Sequence, residues 1–223
     1  MLALVERLRA FYGALSTPPP HAFAVYVWEV LSVGTTPSRR DAAFNALKRI
    51  PALTPDAVGR LPQAKLEAAV AHAGPMKDQR VRALRAGADL FRREPHLAGS
   101  LSGPLRAAVK ASRRMPHLGR ASALRILLFA SGAPVLPLDE HALRVARRLG
   151  YGPRDATPGA DASLIRVLRA TRQALTGETG RDVNTLRNVA QFLTHHGLTT
   201  CLETAPHCGV CPLAMDCEWI RRQ

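Results

Sequence analysis

The chain has 223 residues, enough to bury a sizeable core in one or two domains. Its formal net charge is +14, and 27 of its 31 basic side chains are Arg. This excess favours a surface that attracts polyanions, nucleic acid first among them, although a merely solvated basic surface or a coding bias toward Arg is the alternative. No apolar run approaches the length of a membrane-spanning helix. We therefore expect a soluble, cytoplasmic protein, associated with the nucleoid if bacterial.

Apolar residues recur at spacings of three and four along most of the chain, and this period predicts an all-α fold. Ser38 and Asp56 are predicted N-caps, and Gly150 is a predicted C-cap. No alternating pattern typical of a strand is found. The predicted helices cover 22–32, 41–50, 64–72, 80–92, 103–111, 121–130, 140–149, 161–175 and 184–196.

A very short turn joins two of these helices around 114–120. A turn directly before a helix exposes consecutive backbone N–H groups at the positive end of the helix dipole, where a phosphate can bind. We expect Gly119 to supply the conformational freedom that this turn requires. A helix–turn–helix connection of purely structural use would have the same sequence pattern.

Asp139 stands directly before the predicted helix 140–149. Its simplest role is that of an N-cap, since an Asp side chain accepts hydrogen bonds from the first free N–H groups of a helix. A carboxylate at this point could also stabilise an oxocarbenium-like sugar or activate water. The sequence leaves both roles open.

All four cysteines lie in the last 23 residues, spaced C-x6-C-x2-C-x5-C. They are Cys201, Cys208, Cys211 and Cys217. Structural zinc sites usually contain two close cysteine pairs, whereas here only one pair is close. The spacing therefore favours a [4Fe–4S] cluster, which needs four thiolates around a larger body than one ion. A zinc ion or disulfide bonds are the alternatives.

These three features, in this order, resemble the endonuclease III family of helix-hairpin-helix DNA glycosylases. The family motifs are L-P-G-V-G-R-K-T-A, V-D-x-H-x-x-R and H-G-x3-C-x6-C-x2-C-x5-C. This chain has M-P-H-L-G-R-A-S-A, L-D-E-H-A-L-R, and His196-Gly197 leading into Cys201. The resemblance implies two helical domains that flank a DNA cleft. One is a six-helix barrel with the hairpin, 20–133, and the other is a [4Fe–4S] cluster domain made of 1–19 plus 134–223.

The resemblance also implies a monomer that binds double-stranded DNA with a lesion or mismatch, but one position departs from the family. Ala121 stands where bifunctional members carry a catalytic lysine, and alanine cannot form a Schiff base. We therefore expect a monofunctional glycosylase in which Asp139 promotes base release by water. The alternative is a damage-binding protein of the same fold without catalysis. Glu29, near the catalytic glutamate of the adenine-glycosylase branch, is either a functional acid or an exposed or helix-paired carboxylate.

The resemblance further predicts DNA contacts in the hairpin and in two loops. Gly34 stands where the family has a glutamine that fills the hole left by a flipped base, and Pro75-Met76 stands in the other inserting loop. His117 replaces a hairpin glycine at a site where a positive φ is expected; it could contact phosphate or be a simple surface histidine. The expected contacts are Pro116, His117, Leu118, Gly119, Arg120, Gly34, Pro75, Met76, Lys77, His141 and Arg144. The lesion itself is not identified by these residues.

Overall fold

A computed structural model describes residues 1–49, 53–153 and 161–222, without the side chains of 161–163. Within these ranges the regular structure is helical and contains no strand, which confirms the predicted all-α fold. No helix in this part of the chain is both long and apolar enough to cross a membrane. The α-helices are α1 Leu2–Tyr12, α2 Ala22–Ser32, α3 Pro37–Lys48, α4 Pro55–Arg60, α5 Gln63–Ala71, α6 Lys77–Arg93, α7 Leu97–Leu101, α8 Leu105–Ser112, α9 Arg120–Ala130, α10 Glu140–Arg148, α11 Asp161–Thr179 and α12 Val183–Thr199. Short 3₁₀ helices follow at Cys208–Val210, Ala214–Asp216 and Ile220–Arg222.

The chain divides into two compact units. The first unit consists of Met1–Leu15 together with Pro134–Gln223, and the second unit is Ser16–Ala133. In the first unit, α12 packs against both α10 and α1. In the second unit, α2 packs against α3, α6 and α9, while α4 and α5 pack against α6. A DNA cleft between two domains stays a prediction.

All nine predicted helices are present, with ends shifted by a few residues, but α1, α4 and α7 were not predicted. The last two are only six and five residues long, too short for a clear apolar period. The helix predicted at 41–50 begins at Pro37, and Ile50 lies outside the described residues.

The predicted N-caps Ser38 and Asp56 are wrong. The caps are Thr36 and Thr54, whose hydroxyl oxygens accept hydrogen bonds from the backbone N–H groups of Arg39 and Ala57. Each threonine precedes a proline, which fits the first helical position because its missing N–H would have no partner there. Gly150 follows α10 with a φ of +93°, which confirms the predicted helix stop.

Tyr26 connects three parts of the second unit. The side chain is completely buried on α2, and its hydroxyl donates to the carbonyl oxygens of Ala83 (2.5 Å) and Pro116 (3.2 Å). Its ring lies against Gly87 of α6, where an added Cβ would be 2.0 Å from ring atom Cε1. A buried tyrosine hydroxyl needs such partners, so this residue fixes the turn before α9 relative to α2 and α6.

We predict that Gly87→Ala destabilises the protein, because the new methyl group and the Tyr26 ring cannot occupy the same space. Overpacking of this kind typically costs about 1–3 kcal/mol. Urea unfolding measures the loss, and Gly99→Ala is the matched control, since an added Cβ there meets nothing within 4 Å. Equal stability of the two variants would contradict the packing described for Tyr26.

Candidate functional site

The hairpin between α8 and α9 has its backbone strain at His117. This exposed residue has a φ of +60°, which confirms the left-handed conformation expected there. The prediction that Gly119 supplies the conformational freedom is wrong: its φ is −77°, a value open to any residue. Gly119 is the N-cap of α9 and provides no side-chain cap. The first N–H groups of α9 therefore lack the usual side-chain acceptor, as an anion-binding helix end requires.

The other hairpin residues differ in exposure. Pro116 and Leu118 are half-buried, and Arg120 is exposed at the first position of α9. Ala121 lies half-buried in the first turn of α9. DNA contacts by Pro116, Leu118 and Arg120 stay predictions, and Ala121 has no reactive group.

The two predicted inserting positions lie side by side in the second unit. Gly34 has a φ of +59°, and a Cβ added to it would be 3.2 Å from Sδ of Met76. Met76 is the N-cap of α6, with a left-handed φ of +72°, and its neighbour Pro75 precedes it in the same turn. Lys77, expected to contact DNA, forms an ion pair of 3.3 Å with Glu67, an exposed contact that costs little to break.

Glu29 is buried on α2, with an exposed fraction of 5%. Its Oε2 atom lies 3.9 Å from Nε of Arg125 on α9. The alternative of an exposed carboxylate is therefore wrong for this residue, and its ion-pair partner belongs to another helix. A catalytic role for Glu29 stays a prediction.

Asp139 is half-buried and caps α10, as the sequence predicts. Its Oδ1 atom accepts the N–H of Ala142 at 2.7 Å. Its Oδ2 atom accepts the hydroxyl proton of Thr194 on α12 at 2.8 Å. Thr194 was not foreseen, because it lies 55 residues further along the chain and no motif connects the two. The carboxylate is thus held in one orientation by a donor on each oxygen.

Arg144 is hydrogen-bonded mostly within the first unit. Its Nε donates to the carbonyl oxygen of Cys201 at 2.9 Å, and its Nη2 donates to that of Gly197 at 2.7 Å. The same Nη2 lies 3.2 Å from Nδ1 of His141, whose Nε2 lies 3.4 Å from a carboxylate oxygen of Glu140. DNA contacts by Arg144 and His141 stay predictions, and Arg144 has a structural role besides.

The four cysteines are free thiols in one segment at the end of the first unit. Burial raises the pKa of the Cys211 thiol, and the neighbouring Cys201, Cys217 and Cys208 raise it further. In the described ranges, no three His, Cys, Asp or Glu side chains are grouped closely enough to hold one metal ion. The other three cysteines nonetheless lie near enough to Cys211 to raise the pKa of its thiol.

Hydrogen-bond donors are directed at two of the cysteine sulfur atoms. Nη1 of Arg148 lies 3.3 Å from Sγ of Cys201, and the N–H of Leu213 lies 3.4 Å from Sγ of Cys211. Nε2 of His196 lies 3.5 Å from the same Cys211 sulfur. A thiol accepts hydrogen bonds weakly, whereas a metal-bound thiolate commonly receives them from its surroundings. The donor set thus fits a group held by four thiolates.

His196 is oriented by the N-terminal helix. Burial, followed by the charge of His195, lowers the pKa of His196 to about 4, so the ring is neutral at neutral pH. Its Nδ1 atom lies 2.7 Å from the hydroxyl of Tyr12 on α1. When Nδ1 accepts the tyrosine proton, the ring proton is on Nε2, the atom that faces Cys211. Neither Tyr12 nor this contact could be found from a motif.

The sequence is similar to curated endonuclease III proteins. It is 26% identical to endonuclease III of Rickettsia conorii over 110 residues, or 49% of this chain and 46% of that protein. It is 28% identical to endonuclease III of Escherichia coli K12 over 114 residues, which are 51% of this chain and 46% of that protein. No family model matches the sequence. The chain therefore spans about half the length of the curated relatives it matches.

Solved structures extend the likeness to nearly the whole chain. A trapped covalent intermediate of endonuclease III with DNA superposes with a TM-score of 0.71 over 99% of this chain and 95% of that chain, at 17% identity. The chain therefore has the fold of endonuclease III. A thermostable thymine-DNA glycosylase superposes with a TM-score of 0.66 over 100% of this chain and 95% of that one, at 14% identity. At these identities the structures establish the fold alone.

Proposed function

We propose that the protein is a DNA glycosylase that releases a damaged or mismatched base from duplex DNA by hydrolysis. The observation that carries the proposal is the likeness of 99% of the chain to endonuclease III in complexes with DNA, both covalent and non-covalent. The net charge of +14 supports it, since a basic protein attracts the phosphate backbone. The uncapped N-terminus of α9 supports it as well, because its N–H groups can bind a phosphate of any sequence.

In this proposal Asp139 is the catalytic carboxylate. As the N-glycosidic bond breaks, its electron pair goes to the departing base and positive charge develops on the sugar, which a nearby carboxylate stabilises. Water then adds to the anomeric carbon and gives up a proton to Asp139. The departing base anion takes up a proton from solvent, and Asp139 afterwards returns its proton to solvent. The two hydrogen bonds from Ala142 and Thr194 keep the carboxylate in place without reorganisation during this step.

Ala121 limits the reaction to hydrolysis. A glycosylase that also cuts the strand uses an amine to attack the sugar and to form a Schiff base. The first turn of α9 offers only a methyl group at position 121, and Lys110 is exposed on α8, eleven residues earlier. The expected product is therefore an intact strand with an abasic site.

The proposed cofactor is a [4Fe–4S] cluster held by Cys201, Cys208, Cys211 and Cys217. The donors at Arg148, His196 and Leu213 support it, because they face sulfur atoms that would carry negative charge. When bound, such a group supplies four strong iron–sulfur bonds and a redox centre to a segment that otherwise contains only short 3₁₀ helices.

A second candidate function is damage recognition without catalysis. Ala121 favours it, since one of the usual reactive groups is missing although 99% of the chain superposes on endonuclease III. The two functions differ in whether a base is released.

We predict that Asp139→Asn reduces base release by about 100-fold or more, the contribution typical of a positioned acid or base. The measurement is single-turnover release from duplexes that contain uracil, a G·T mismatch, oxidised pyrimidines or alkylated purines. Hot alkali follows, because an abasic product is otherwise invisible. The physical reason is that an amide neither takes up a proton nor stabilises a positive sugar.

The same substitution contains its own structural control. Asparagine caps a helix about as well as aspartate, so the free energy of unfolding should change by less than about 1 kcal/mol, whereas Asp139→Ala should cost about that much or more. Unchanged base release by Asp139→Asn would refute the role of Asp139. Failure of the wild-type protein to release any base in the panel would favour the damage-binding alternative.

We predict that the purified protein is brown and contains about four iron and four sulfide ions per chain. Cys211→Ser should lower the iron content and the visible absorption, because one of four ligands is lost. Val210→Ala, in the same segment with an exposed fraction of 64%, should retain both and serves as the control. One zinc ion per chain, or disulfide bonds without iron, would contradict the cluster.

A further inference from the structure

A line of polar groups leads from α1 and the end of α12 to one of the cysteine sulfur atoms. The hydroxyl oxygen of Thr200 lies 2.5 Å from that of Tyr12, which in turn lies 2.7 Å from Nδ1 of His196. The other ring nitrogen of His196, Nε2, lies 3.5 Å from Sγ of Cys211. We call Thr200, Tyr12, His196 and Cys211 the hydrogen-bond chain.

The middle of the hydrogen-bond chain is shielded from water. His196 is 1% exposed and Thr200 is 5% exposed. Tyr12 is half-buried, and its ring meets the ring of His195 edge to face, with 4.6 Å between the centroids. Buried polar groups bond to one another instead of to water, and each bond polarises the next. The groups at the two ends therefore determine in which direction the protons of the chain point.

The charge of the Cys211 sulfur decides that direction. A thiolate that binds a metal has no proton and can only accept, so the proton of the neutral His196 ring must be on Nε2. Nδ1 then has a lone pair and accepts the proton of the Tyr12 hydroxyl. The Tyr12 oxygen accepts from the hydroxyl of Thr200 in turn. Every donor of the chain thus points toward the sulfur.

We infer that Tyr12 is a positioning residue that fixes the tautomer of His196, so that Nε2–H donates to the Cys211 thiolate and raises the reduction potential of the bound cluster. This inference rests on the proposed [4Fe–4S] cofactor. An electron added to an iron–sulfur cluster makes its sulfur ligands more negative, and a hydrogen bond to a more negative acceptor is stronger. The bond from Nε2 therefore favours the reduced state over the oxidised state.

The other donors at the cysteine sulfur atoms need no such positioning. The backbone N–H of Leu213, 3.4 Å from the Cys211 sulfur, and the guanidinium group of Arg148, 3.3 Å from the Cys201 sulfur, always carry their protons. An imidazole presents either a proton or a lone pair at Nε2, and a lone pair would repel a thiolate. Of these three donors, His196 is the one whose contribution depends on a second residue.

A purely structural connection between α1 and the cysteines would not require the hydrogen-bond chain. Arg7 of α1 already forms an ion pair with Asp216, the residue directly before Cys217. That contact joins α1 to the cysteine segment without involving a sulfur atom. The hydroxyl of Tyr12 adds a connection of a different kind, because its proton determines what the histidine presents to Cys211.

The test measures the reduction potential of the purified, iron-loaded protein by voltammetry, in which the electrode supplies the electron. Tyr12→Phe keeps the ring that packs against His195 and removes the hydroxyl. We expect the reduction equilibrium to weaken about tenfold, a fall in potential of about 59 mV for a one-electron couple. Tyr151→Phe is the matched control, since the Tyr151 hydroxyl donates to a carboxylate oxygen of Glu178 at 2.8 Å and not to a histidine. It should leave the potential unchanged.

Variants of His196 show whether Tyr12 acts through this ring. His196→Leu removes the donor and should lower the potential as Tyr12→Phe does. A glutamine has no tautomers, and its amide group can donate near the position of Nε2. His196→Gln should therefore retain most of the wild-type potential, and Tyr12→Phe added to His196→Gln should cause no further fall.

The outcomes separate this inference from the proposed cofactor. Wild-type protein that contains zinc, or no metal, overturns the cluster and the inference with it. If the wild-type protein contains the cluster, a Tyr12→Phe potential no lower than that of Tyr151→Phe overturns the inference alone, and so does an equal fall in the His196→Gln background. If Tyr12→Phe loses its iron, the double variant with His196→Gln decides. Iron retained in the double variant supports the inference, and iron lost from it as well overturns the inference, because a glutamine needs no tyrosine to donate.

Discussion

Guanidinium groups that bind backbone carbonyl oxygens fix the turns and helix contacts within each unit. Arg80 and Arg85 do so in the second unit, and Arg144, Arg148 and Arg172 do so in the first. Carbonyl groups at turns and helix ends otherwise lack partners, and an arginine offers five donors in a fixed plane. A lysine could not bridge two carbonyl groups in the same way. Part of the arginine excess therefore has a structural cause, and the net charge alone overstates how much of it is available to a nucleic acid.

The candidate functional groups depend on these arginines. Arg144 connects α10, which begins after Asp139, to the carbonyl of Gly197 on α12, the helix that carries Thr194. The hydrogen bond between Thr194 and Asp139 is thus supported by a contact about one turn further along the two helices. Arg148 donates to the Cys201 sulfur and to the carbonyl oxygen of Leu202, so one side chain shapes the start of the cysteine segment. In the second unit, Arg80 connects the two turns that contain Val33 and Pro75 in the same way.

The sequence predicted those features of the structure that depend on residues close together in the chain. The helical period located nine of the helices, and Asp139 as a cap and His117 as a left-handed residue are confirmed. The N-caps are Thr36 and Thr54 rather than Ser38 and Asp56, which lie two residues later and are of equally common N-cap types. No sequence motif predicted the contacts between residues that lie far apart in the chain. Thr194 lies 55 residues from Asp139, and Arg80 lies 47 residues from the carbonyl that it binds at Val33.

The proposed reaction releases the base by hydrolysis, with a carboxylate and without an amine. It is tested by incubating the wild-type protein with a lesion-containing duplex, with and without sodium borohydride. We expect abasic sites, strand breaks only after alkali, and no covalent complex, because Ala121 cannot form a Schiff base. A borohydride-trapped complex, or strand cleavage without alkali, would refute hydrolysis without an amine and would require another amine of the chain as the nucleophile.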